Sequence, residues 1–120
     1  MLKRLLVVAL TLASGSAVAS NFSQIVHELD AGADIERNGA EATIVTTAKR
    51  VTPHDPPFTT MIPALCDLPS SLKGLEKVIV LNEHAFQGVE FWTYDETPDL
   101  RGTCEKIAEG TVLQGYAVMH

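Results

Sequence analysis

Between Pro53 and Phe58 the chain reads Pro-His-Asp-Pro-Pro-Phe, placing an imidazole and a carboxylate side by side between prolines. Loops held on a rigid scaffold are where binding groups concentrate, and flanking prolines reduce the entropy lost when a loop docks. His54, Asp55 and Phe58 are therefore the first candidates for contact with a partner. The competing reading is a stiffened connector with Phe58 tucked into the core. A second candidate surface is Phe91-Trp92-Thr93-Tyr94. On a strand, Glu90, Trp92 and Tyr94 share one side. Glu90 points that side toward water, which brings Trp92 and Tyr94, types that dominate interface hot spots, within reach of a partner. If a helix covers that side instead, both aromatics are core, and the two-sided apolar character of the neighbouring strands favours this outcome.

Metal and catalytic chemistry find less support. His27, His54, His84 and His120 are scattered among carboxylates. Imidazole is a common zinc and copper ligand, and His54 and His84 are the weak metal candidates. None of the four shows H-E-x-x-H, H-x-H or Cys/His zinc spacing, and four surface histidines are the expected alternative. No G-x-S-x-G elbow, phosphate-cradling glycine loop or dinucleotide fingerprint occurs, so no cofactor is expected. Asp95, Glu96 and Asp99 surround a predicted helix start, where carboxylates complement the helix dipole.

Cys66 and Cys104 are the only cysteines. They lack the C-x-x-C spacing of a catalytic dithiol and are expected to form a structural disulfide.

The elements that must position these residues follow from periodicity. Phe22, Ile25, Val26 and Leu29 fall at i, i+3, i+4 and i+7, predicting a helix over 21–31 with Asn21 as N-cap and Gly32 as stop. Asn38-Gly39, before Thr43-Ile44-Val45-Thr46-Thr47, predicts a hairpin with a type I′ turn; one long helix capped by Gly39 is the alternative. Residues 51–69 hold five of the six prolines and read as a stiffened loop that no long helix or central strand can cross, with room for a short helical turn around Met61 to Leu68. Val78 to Leu81 is a buried strand, Asn82 to Gly88 a turn, and Val89 to Tyr94 a second strand. Thr97 as N-cap and Pro98 at the first position start a helix whose Leu100, Cys104, Ile107 and Ala108 share a face. Val112, Tyr116 and Val118 alternate with Leu113, Ala117 and Met119, so the last strand is expected to lie centrally with both faces covered. The sum is one small α+β domain, a mostly antiparallel sheet of about five strands with an N-terminal helix, a second helix near the C-terminus and one disulfide.

The N-terminus supplies an address. Lys3 and Arg4 precede an apolar run, Leu5 to Leu12, and Ala17-Val18-Ala19 forms an A-x-A site before Ser20. Residues 1–19 are expected to be an export signal cut after Ala19, leaving residues 20–120 as a single periplasmic or secreted domain, most simply bacterial, with no membrane anchor. Cleavage removes Lys3 and Arg4, so 15 acidic residues face 7 basic ones and the net charge moves from −6 to −8. Such a surface repels nucleic acid and anionic lipid. The expected function is a small exported binding protein of inhibitor, accessory or immunity type that acts on another periplasmic or extracellular protein. A periplasmic metal-binding protein is second, and a small hydrolase third.

Overall fold

The computed structural model describes residues 13–94 and 96–120, with residues 13–20 described as backbone only. The positive start and apolar core of the expected export signal, Lys3 to Leu12, lie outside the described residues, as does Asp95. The element order is α1 (Ala13–Leu29), β1 (Asp34–Asn38), β2 (Glu41–Val45), α2 (Phe58–Cys66), a 3-10 turn (Pro69–Leu72), β3 (Lys77–Leu81), β4 (Gln87–Trp92), α3 (Leu100–Ala108) and β5 (Tyr116–Met119). The strands form one sheet in the order β1-β2-β3-β4-β5. Among the described strands only β2 and β3 run parallel, joined by the crossover that contains α2. The chain is thus an α+β domain on a mostly antiparallel five-stranded sheet with one disulfide.

Alternation within the strands builds the core. Ala42 and Ile44 on β2, Val78 and Val80 on β3, and Val89 and Phe91 on β4 point to the helical side. They meet Phe22 and Val26 of α1, Phe58, Met61, Ile62 and Leu65 of α2, and Leu100 of α3. The alternate positions form the opposite face, in register as the row Thr43, Ile79, Glu90 and Tyr116. The β-branched run of β3 is buried on both sides, as its sequence predicts. Cys66 and Cys104 are bridged, with their Cα atoms 5.3 Å apart, and Cys104 faces inward from α3 as expected.

Several local expectations are corrected. The first helix begins at Ala13, not Asn21, because the small residues before Asn21 continue it, and Asn21 is therefore no N-cap. The β1–β2 loop is Gly39-Ala40, since Asn38 stays in the ladder opposite Glu41. Only Gly39 takes positive φ (63°), whereas a type I′ turn needs two such residues. Helix α3 is capped by Asp99, whose carboxylate accepts the Gly102 N–H at 3.2 Å. Thr97 instead donates to the Tyr94 carbonyl at 2.7 Å. Ala108 is exposed, and Thr103 takes a buried place on that helix. The proline segment contains a nine-residue helix rather than a single turn. Phe58, Met61, Ile62 and Leu65 supply one buried face, while Pro63 lies on the exposed outer side.

The largest correction concerns β5. Among the described residues it hydrogen-bonds only to β4 and forms an outer edge of the sheet, not its centre. Tyr116, Ala117 and Met119 are exposed. Apolar residues on both sides of a strand mark burial only when something is available to cover both sides.

Candidate functional site

Three places gather the residues singled out above. The first is the proline loop. His54 and Asp55 are exposed on a turn closed by the Thr52 hydroxyl, which donates to the Asp55 carboxylate at 2.6 Å. The Asp55 carbonyl then accepts the Thr59 N–H (3.3 Å) at the entry to α2. The loop is tied to the sheet at Val51, whose N–H donates to the Gln87 side-chain oxygen at 2.8 Å while Gln87 Nε2 donates back to the Val51 carbonyl. Phe58 is fully buried (0 % exposed) and edge-on to Phe91, ring centroids 6.3 Å apart. Phe58 thus anchors the loop and is withdrawn from the contact surface.

The second place is the outer edge formed by β5. The other edge strand, β1, reads Asp-Ile-Glu-Arg-Asn and carries charges that discourage added strands. The β5 strand reads Tyr-Ala-Val-Met, with no charge and no proline. The His120 N–H donates to the Phe86 carbonyl at 2.8 Å. Alternation in an antiparallel ladder therefore turns residues 116, 118 and 120 toward β4 and leaves the backbone groups of Ala117 and Met119 pointing outward. Phe86 (62 % exposed) and Met119 (82 % exposed) flank this edge where the proline loop is anchored, because Gln87 is both the partner of Met119 and the clamp on Val51.

The third place lies at the opposite end of β4, about 17 Å along the strand from Gln87. Trp92 there is 43 % exposed, so the expectation that both aromatics are core fails for Trp92. Its indole N–H donates to Glu90 at 2.8 Å, and the Lys77 ammonium sits 4.3 Å above the ring while pairing with Glu41 (3.4 Å) and Glu90 (3.9 Å). Tyr94 is half-buried against the core and acts as a tether. Its hydroxyl donates to the Val112 carbonyl at 2.7 Å and accepts the Gln114 N–H at 2.9 Å, fastening the segment that leads into β5.

Burial raises the Tyr94 phenol above its ordinary value of 10; the bond from the Gln114 N–H acts against that shift, and neighbouring Tyr116 adds to it. The folded state therefore holds this proton more tightly than the unfolded chain. The corresponding stability is fully present below pH 10 and declines as pH rises through the folded value. Tyr94→Phe is expected to lower stability by about 1 kcal/mol at neutral pH. In thermal melts, the gap between wild type and variant should hold constant up to pH 10 and narrow above it.

The weak metal candidates stay apart from any ligand set. His84 is exposed beside Glu83 at 3.5 Å, and His54 lies on the proline loop. His27 contacts the Ala33 carbonyl at 2.9 Å. Among the described residues, no group of three or more His, Cys, Asp or Glu side chains is placed to hold a metal ion. Sequence reading missed Phe86, Met119 and Tyr116 as surface residues; for Met119 and Tyr116 the signal was a charge-free last strand set against a charged first strand. Comparison of the chain with protein families, curated proteins and solved structures finds no match.

Proposed function

We propose that the protein is an exported binding protein, of inhibitor, accessory or immunity type, that takes an extended segment of another protein along β5. The observation that supports this most directly is the contrast between the two sheet edges: charges guard β1, whereas β5 offers outward N–H and C=O groups between exposed Phe86 and Met119. An unguarded edge is a template for strand addition, in which main-chain bonds supply affinity and flanking side chains supply selectivity. His54 and Asp55 stand on the loop anchored at that end of β4, where they can read polar groups beside the added strand.

The decisive variant is Ala117→Pro. Proline removes an outward donor and obstructs pairing, yet the β4-facing bonds of residues 116, 118 and 120 remain. Affinity capture from periplasmic extract should lose its partner at least about tenfold with Ala117→Pro, and also with the His54→Ala, Asp55→Ala pair, at unchanged melting temperature. Equal recovery of that partner by wild type and Ala117→Pro would remove β5 from the contact surface.

A further inference from the structure

Beyond the partner edge, the far end of β4 borders a cavity of about 350 Å³. Trp92 and Tyr116 supply aromatic surface, and Lys106, Thr93, Thr111 and Gln114 supply polar groups. That volume falls at the lower end of the range for small-molecule sites, about 300–1,000 Å³. We propose that this cavity binds a mono- or disaccharide bearing one carboxylate.

The chemistry of the lining selects this class. The indole is fixed before any ligand arrives, because Glu90 holds its N–H and the Lys77 ammonium lies over its ring. Trp92 also borders a neighbouring depression that includes Lys77, whereas Lys77 does not line the cavity. Lys77 thus borders only the depression, and Trp92 borders both. A flat, pre-positioned aromatic surface favours a ligand with a C–H-rich face and costs little conformational entropy on binding.

The remaining lining selects against a purely apolar guest. The Tyr94 hydroxyl is already committed to Val112 and Gln114 backbone groups. Among the described residues, the Thr93 and Thr111 hydroxyls and the Gln114 side-chain amide make no protein hydrogen bond, so they are available to ligand hydroxyls. A pyranose joins a C–H face to a rim of hydroxyls, which is the combination this lining offers.

Charge limits the ligand further. Lys106 is the one cation among the described lining residues, and no described lining residue is a carboxylate. Its ion pair with exposed Glu96 spans 4.0 Å, loose enough for a ligand carboxylate to replace it. A chain with net charge −6 disfavours polyphosphates and other multiply charged anions, so a single carboxylate is the anion that fits.

Trp92 is the chain's only tryptophan, so its fluorescence reports on this cavity directly. Titration of the purified protein with glucuronate, galacturonate and N-acetylneuraminate should give a saturable change in emission with at least one of them. The matched neutral sugar should bind roughly tenfold more weakly, and Lys106→Ala should reduce the acid sugar to the same level. Tyr116→Ala should weaken both, while Ala117→Pro, which disrupts only the partner edge, should leave sugar binding intact. Absence of a saturable change with all three acid sugars, in protein that melts normally, overturns the proposal. Undiminished acid-sugar binding by Lys106→Ala also overturns it.

Discussion

Replacement of Cys66 and Cys104 by alanine together is expected to lower stability by about 4 kcal/mol. The bridge closes a separation of 38 residues, and it joins α2, at the end of the proline segment, to the inner face of α3. In the unfolded chain it removes loop-closure entropy, and that restriction is released in the variant. For a domain of about 100 residues, each kcal/mol corresponds to roughly 4–8 °C, so the melting temperature should fall by about 15–30 °C. Urea unfolding of the variant and of the reduced wild type should show matching losses in midpoint. A loss below about 1 kcal/mol would mean that the packing of α2 on the 3-10 turn, and of the turn on α3, already supplies the restraint.

The second large effect is expected at Phe58. Phe58→Ala should cost about 3–5 kcal/mol, the usual cost of emptying a large aromatic site in a core. Phe58 is fully buried, meets Phe91 edge-on, and lies against the main chain where Gly115 leads into β5. A Cβ added at Gly115 would stand only 2.6 Å from the Phe58 ring tip, which shows how closely the backbone rests on it. Loss of the ring therefore withdraws support from β4 and from the lead into β5 together. Amide exchange should accelerate first at Tyr116, Val118 and His120, whose amides face β4, and Phe58→Leu, which keeps much of the volume, should melt between wild type and alanine. Wild-type stability of Phe58→Ala combined with loss of partner capture would return Phe58 to the contact surface.

Short-range chemistry made much of the fold legible. The run Val78 to Leu81 predicted a buried strand and became the central one, because four consecutive apolar, largely β-branched residues can be hidden only between neighbours on both sides. Cys104 was placed inward by helical spacing from Leu100, and the bridge to Cys66 required nothing beyond that. The helix at Phe58–Cys66 was also written in the chain, at i, i+3, i+4 and i+7, but proline count hid it. Pro63 costs that helix one backbone bond, and burial of four apolar side chains outweighs the loss. The candidate site was less legible. His54 and Asp55 were recognisable as an exposed pair because prolines bracket them, whereas nothing local marks Phe86 or Met119 as surface.

Residue types and spacing alone determined the α+β class, the disulfide, the inward side of Cys104 and the loop that presents His54 and Asp55. Each rests on neighbours a few positions apart, or on the scarcity of cysteines. Tertiary structure decided which strand ends the sheet, and with it what the aromatics do. Strands β3 and β5 both carry apolar residues on both sides, but β3 is paired along both edges and β5 along one. That pairing is non-local, so apolar Ile79 is buried in the middle of the sheet while apolar Met119 stands in solvent. It also withdraws Phe58 from the surface and keeps Trp92 on it, since burial depends on which elements cover a position and not on the residue that occupies it.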